Sequence, residues 1–296
     1  MKNILVRSLS GLFFIVLVLG SELFSSFSSY ILFLFVLIFG LREFYRFGRY
    51  QENHPNMPIG IVTGIVIYTL SYLIAGNVLP LKAYILVIPF IIFIPILELY
   101  RQKSQPINNI GITFLGLVYV VLPVSLMHFM VLSKHAIAEE PDWISQISNI
   151  LWNKTDSELI YFNAFIIIGY FIIQWVSDTG AFVFGISFGK HRLFERISPK
   201  KSWEGAIGGL LATIGAAYFV HYLYPSLALL HWIAISIIIT VFGIFGDLIE
   251  SLYKRSVSVK DSGKIMPGHG GILDRFDSSL LALPMVYFYL QIIYYF

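Results

Sequence analysis

Long apolar runs separated by short polar breaks dominate the chain. Blocks with few charges cover 4–20, 28–41, 59–76, 83–99, 110–132, 159–184, 205–223, 230–249 and 276–296. A helix rising 1.5 Å per residue needs about 20 apolar residues to cross a hydrocarbon core of roughly 30 Å, so each block predicts a membrane-spanning helix. The second block is short. The first is similar to the apolar part of a secretory signal. Yet Gly20-Ser21-Glu22 is not a small-x-small cleavage site and another apolar block follows at once, so both are expected to be retained helices. The expected fold is all-α, a polytopic integral membrane protein of about nine spans: roughly five in an N-terminal region, 1–150, and four in a C-terminal region, 151–296.

Lysine and arginine set the orientation, because they are retained in cytoplasmic loops while acidic residues count for little. With the N-terminus inside and nine spans, 17 of the 20 Lys and Arg residues fall on the inner side, and only Lys82, Lys134 and Lys154 on the other. The C-terminus is then outside. The longest outer loop, 133–158, is acidic through Glu139, Glu140, Asp142, Asp156 and Glu158. Two inner segments, 185–204 and 250–277, hold 7 and 9 of the 37 charged residues, so chemistry is expected there. In the first half the inner basic residues, such as Arg42, Arg46 and Arg49, read most simply as topology determinants near anionic headgroups.

Composition sharpens this picture. Of 296 residues 57% are hydrophobic and 12% charged, against about 25% charged in soluble domains, which leaves no room for a sizeable soluble domain. The net charge of +3 comes without a basic stripe, so nucleic acid is not an expected partner. The absence of cysteine excludes disulfides, thiolate metal sites and a cysteine nucleophile, leaving oxygen and imidazole as metal ligands.

Asp178 follows an almost uncharged run and Asp247 ends another. A carboxylate at membrane depth costs about 2.5 kcal/mol or more, so it normally faces a bundle interior, a watery cavity, a cation or a basic partner. On a helix Asp247, Glu250, Ser251 and Lys254 fall on one stripe at i, i+3, i+4 and i+7. Gly243 and Gly246 before them, and Gly180, Gly185 and Gly189 after Asp178, permit close approach of a ligand or of another helix. The stretch KRSVSVKDSGKIMPGHGGILDRFD at 254–277 suits anion handling. Its basic residues neutralise phosphate oxygens, Gly268, Gly270 and Gly271 let main-chain N–H groups come close, and His269 can donate a hydrogen bond. Asp274 and Asp277 open the last helix; they are hard oxygen ligands of the kind Mg²⁺ prefers, though an acidic residue there also suits the helix N-terminus. In GKHRLFERISPKKSWEG, 189–205, Lys200 and Lys201 are either positive-inside residues or a second phosphate cluster, and Ser202 and Glu204 either ligand contacts or a helix cap.

These residues resemble the integral membrane phosphatidate cytidylyltransferases, or CDP-diacylglycerol synthases. The C-terminal motif of that family is matched in register by Ser251, Lys254, Arg255, Lys260, Asp261, Gly263, Pro267, His269, Gly270, Gly271, Asp274, Arg275 and Asp277, with Tyr253 a mild departure at a hydrophobic position. SDTGAFVFG at 177–185, FGKHRL at 188–193, ISPKKSWEG at 197–205 and GDLIESLYKR at 246–255 are also similar, so the resemblance is strong over 174–278, whereas the first 150 residues match only as apolar helices. The resemblance implies transfer of CMP from CTP to phosphatidate, giving CDP-diacylglycerol and pyrophosphate, with one or two divalent ions such as Mg²⁺, at the cytoplasmic face of the cell's inner membrane.

It further implies Asp247 and Asp274 as leading metal ligands, with Asp178 and Asp277 as additional ones. Lys200, Lys201, Lys254, Arg255, Lys260 and Arg275 are expected to contact phosphate, with His269 as a hydrogen-bond donor. Ser177, Ser202, Glu204, Asp261, Gly270 and Gly271 complete the expected substrate-binding set. CTP, phosphatidate and the bilayer are the expected partners, and the helix-rich, glycine-bearing chain allows a homodimer. Three other functions use similar residues: a lipid or polyprenol kinase, which would consume ATP, a cytidylyltransferase for another lipid, and an ion-coupled transporter with Asp178 and Asp247 on its cation path. The transporter also predicts two related halves, and the charges instead gather in the last 120 positions.

Overall fold

The computed structural model describes residues 2–133, 161–263, 265 and 270–295. The acidic outer loop expected at 133–158 therefore lies almost wholly outside the described residues, as do Lys134, Lys154 and His269. Helices α1 (Lys2–Phe24), α2 (Ser26–Tyr50) and α3 (Met57–Ala75) open the chain. A 3₁₀ turn, Leu81–Val87, leads into α4 (Ile88–Arg101), and α5 (Pro106–Gly116) runs through a π-helical stretch, Leu117–Val121, into α6 (Leu122–Val131). Then come α7 (Ala164–Phe188), α8 (Trp203–Leu223), α9 (Leu229–Ser256) and α10 (Leu273–Tyr295). Two short antiparallel strand pairs complete the order: β1 (Leu132–Ser133) with β2 (Tyr161–Phe162), and the hairpin of β3 (Arg192–Phe194) with β4 (Ser198–Ser202).

Among the described residues eight helical segments are long and apolar enough to cross a bilayer, with α5 and α6 counted as one, and α1 adds a shorter apolar stretch, Leu9–Phe24. Among the described residues each of the nine apolar blocks thus lies mainly in helix. The second is not short: α2 continues to Tyr50 because its polar end is amphipathic, burying Leu41, Phe44, Tyr45 and Phe47 while Arg42 and Arg49 point outward. Ser25 caps its start in a reciprocal pair with Ser28.

Long-range hydrogen bonds tie alternate connections together at one end of the bundle. Gln51 reaches Ser256 Oγ at 3.3 Å, Arg101 donates to the His54 carbonyl at 2.8 Å, and Lys201 pairs with Asp247 at 2.7 Å. That end holds the two charge-dense segments. One apolar core runs through the bundle from Val18 to Leu290, with Tyr45, Tyr68, Tyr170 and Trp232 fully buried. Phe13, Leu211 and Phe245 face outward, as expected where lipid is the solvent.

Lipid offers little hydrophobic drive between helices, so small residues set the closest contacts. A Cβ at Gly209 on α8 would stand 3.0 Å from the Ser177 carbonyl oxygen of α7, and one at Gly205 would stand 3.2 Å from the Gly185 Cα. On α9 a Cβ at Gly246 would lie 3.0 Å from the Ser278 Cα of α10 and press on the Asp277 carbonyl, leaving backbone as the only thing that can yield. Gly246→Ala is expected to destabilise the protein by about 1–3 kcal/mol through overpacking. Gly215→Ala, where nothing lies within 4 Å, is the matched control. Melting midpoints of the two variants in detergent check this, and equal midpoints would refute the close-contact account.

Candidate active site

A cavity of about 860 Å³ opens where α7 and α9 end and α8 and α10 begin, roofed by the β3–β4 hairpin. Five carboxylates line it, Asp178, Asp247, Asp261, Asp274 and Asp277, together with five cations, Arg192, Lys200, Lys201, Lys254 and Arg275. Asp178 precedes the end of α7 by ten residues, so the cavity reaches about 15 Å into the bundle. This depth resolves the problem of a carboxylate in an apolar helix: Asp178 is exposed to the cavity, with Gln174 Nε2 3.3 Å from its Oδ1.

The stripe on α9 forms as its spacing predicts. Ser251 Oγ donates to Asp247 Oδ1 at 3.1 Å, and Lys254 pairs with Glu250 one turn earlier. The Lys254 ammonium also reaches across to Asp274 Oδ1 at 2.8 Å. Asp274 sits in the first turn of α10, where its Oδ2 accepts the Ser262 and Gly271 N–H groups at 2.9 and 2.7 Å. Gly270 takes φ +87°, a conformation that glycine adopts without strain, and brings the chain back beneath this carboxylate. Glu250 is fully buried, and Lys254 supplies its counter-charge.

Of the residues expected from the sequence, Ser177, Asp178, Lys200, Lys201, Ser202, Asp247, Lys254, Asp261, Asp274, Arg275 and Asp277 converge on this one cavity. Ser202 also caps α8, its hydroxyl accepting the Gly205 N–H at 3.2 Å. Others take different places. Glu204 turns away to His191 Nδ1 at 2.6 Å and accepts the Lys190 and His191 N–H groups, in an adjoining groove of about 740 Å³. Arg255 and Lys260 are exposed outside the cavity lining, and the Gly271 N–H already serves Asp274.

Two contributors were not anticipated. Arg192 lines the cavity from β3; its place in the dense segment 185–204 was the available signal. Glu43, the only acidic residue of α2, is buried against the segment that leads into α10, and no local pattern marks it.

The donor set is all oxygen, which suits a hard divalent cation. Among the described residues no three His, Asp or Glu side chains converge as a ready-made cage. Mg²⁺ does not require one, since it commonly takes one or two carboxylates and completes its shell with water and substrate phosphate. Asp247 and Asp274 are each engaged by a lysine, whereas among the described residues Asp178 and Asp277 form no ion pair with lysine or arginine.

The sequence model of the cytidylyltransferase family matches residues 5–293. The chain belongs to this family. It is 35% identical over 245 residues to a phosphatidate cytidylyltransferase of Staphylococcus saprophyticus, covering 78% of this chain and 92% of that one. It is 39% identical over 189 residues to the phosphatidate cytidylyltransferase of Staphylococcus aureus strain COL, covering 62% of this chain and 69% of that one. As a cytidylyltransferase-family chain it is matched from α1 to α10, so the match covers Glu43 as well as the cavity.

Proposed function

We propose that the protein is a phosphatidate cytidylyltransferase, joining CTP and phosphatidate into CDP-diacylglycerol and pyrophosphate for phospholipid biosynthesis. The observation that carries this reading is a cavity with five cations and five carboxylates set into the end of an apolar helix bundle, where a lipid phosphate and a water-soluble nucleotide can meet. The bias of lysine and arginine supports a cytoplasmic face for this end, in the inner membrane.

The phosphate of phosphatidate has its second pKa near 6, so it is largely ionised at neutral pH and needs no strong base. One of its oxygens attacks the α-phosphorus of CTP. The bond from that phosphorus to the bridging oxygen breaks, and pyrophosphate leaves with the electron pair. The protein's task is to hold two anions in line and balance the charge that builds on the leaving group. Arg192, Lys200 and Arg275 are placed to contact phosphate oxygens, with Arg255 and Lys260 outside the cavity. Lys201 and Lys254 act from fixed positions, each held by a carboxylate. Five cations against five carboxylates leave no surplus positive charge for two polyanionic substrates. A divalent ion such as Mg²⁺ would supply that surplus on the phosphate oxygens, with Asp178, Asp247, Asp274 and Asp277 as the residues that would hold it.

Detergent-purified protein given phosphatidate, Mg²⁺ and each nucleoside triphosphate in turn is expected to release pyrophosphate with CTP, to form CDP-diacylglycerol, and to stop on addition of EDTA. ADP formation from ATP would point instead to a lipid kinase. A folded protein silent with every nucleotide would overturn the reading.

A further inference from the structure

We infer that Glu43 is a positioning residue, the anchor by which α2 fixes the segment carrying Asp274. This rests on the function just proposed. Glu43 is 1% exposed, lies in an N-terminal helix that lines no part of the cavity, and ends on residues more than two hundred positions away. Its Oε2 accepts the Ser262 hydroxyl at 3.0 Å and the Leu273 N–H at 2.8 Å. The two residues it holds bracket the loop, and both are one step from the cavity. The Ser262 N–H donates to Asp274 Oδ2 at 2.9 Å, and Leu273 opens α10 immediately before Asp274.

Three features show that the site is built around this carboxylate. Gly263 and Gly271 pack against it so closely that a Cβ at either would collide with it. The Leu273 N–H is one of the free donors at the start of α10, where a negative charge is favoured by the helix dipole. And the Ser262 hydroxyl, while donating to Glu43, accepts the Asp274 N–H at 3.3 Å, so Glu43 fixes that hydroxyl's orientation. The linkage runs from Glu43 through Ser262 to Asp274, and on to Lys254 and Glu250. Buried carboxylates are kept where their hydrogen bonds are needed. Here those bonds set where Asp274 stands. Glu43 does not line the cavity and acts only through its neighbours.

The test uses the purified full chain. Glu43→Ala is expected to lower kcat for CTP-dependent pyrophosphate release on the order of 10²-fold, with KM for CTP changed less than about threefold, because misplacement by about 1 Å has consequences of that size. Amide exchange at 261–263 and 270–275 is expected to rise about tenfold or more, with α7 and α8 unchanged. Glu43→Gln keeps an acceptor oxygen for Ser262 and Leu273 and is expected to restore kcat to within about tenfold of wild type. Should Glu43→Ala fail to fold, Ser262→Ala reads the same link, with a smaller fall in kcat and the same local exchange. Wild-type kcat and wild-type exchange in the folded variant would overturn the inference, as would loosening spread evenly over all helices. If the wild-type chain proves inert toward CTP, the proposed function falls, and exchange alone decides the anchor: local loosening upholds it and unchanged exchange overturns it.

Discussion

Asp274→Asn is expected to reduce CTP-dependent pyrophosphate release about 10³-fold while leaving the protein folded. Asp274 uses both oxygens, Oδ1 toward Lys254 at 2.8 Å and Oδ2 toward two main-chain N–H groups at 2.7 and 2.9 Å. Asparagine has a single acceptor oxygen. If that oxygen stays on the Ser262 and Gly271 N–H groups, the amide nitrogen is turned on the Lys254 ammonium, donor against donor. Lys254 keeps Glu250 as its partner, so the buried ion pair within α9 survives. The lysine's position and one negative charge at the cavity wall are lost. Removal of one preorganised electrostatic group commonly lowers turnover about 10²–10³-fold, and this change removes one and displaces another. Turnover per folded molecule, with the melting midpoint as control, checks it. Activity within tenfold of wild type would remove Asp274 from the reaction.

How far the site could be read in advance depended on how its residues are linked. The Asp247, Glu250, Ser251 and Lys254 stripe follows from helical period alone, so its hydrogen bonds could be placed from spacing. The helices were legible for a related reason: a bilayer imposes length and apolarity on each crossing, and among the described residues each of the nine apolar blocks lies mainly in helix. The end of α2 is not legible from polarity, because Leu41, Phe44 and Phe47 continue its buried face past Arg42. For Ser202 and Glu204 the sequence allowed a cap or a ligand contact, and only the fold separates them: Ser202 closes the first turn of α8, while Glu204 faces His191. Glu43 left no trace because its partners, Ser262 and Leu273, lie far along the chain and no periodicity connects them. The sequence puts Lys254 on the α9 stripe as an expected phosphate contact. Only its burial between two carboxylates from different helices reveals a structural task as well.

That double task yields the sharpest separation of stability from chemistry. Lys254→Met is expected to destabilise the protein by about 3–5 kcal/mol, because it leaves Glu250 buried without its counter-charge. In a chain of this size such a loss lowers the melting midpoint by about 5–8 °C. The Lys254 side chain is 12% exposed and those of Glu250 and Asp274 are 0% and 7%, so water can replace little of what the ammonium supplied. Adding Glu250→Gln removes the stranded charge, and the double variant is expected to recover most of the lost midpoint. Activity should not return, since neither change restores a cation beside Asp274 at the cavity wall. A Lys254→Met midpoint equal to wild type would refute the buried pair as a source of stability. Recovery of turnover together with stability in the double variant would show that Lys254 serves only to neutralise Glu250. Stability without turnover would place its ammonium in the reaction, because the packing of α9 against α10 would be intact and the positive charge beside Asp274 would be what is missing.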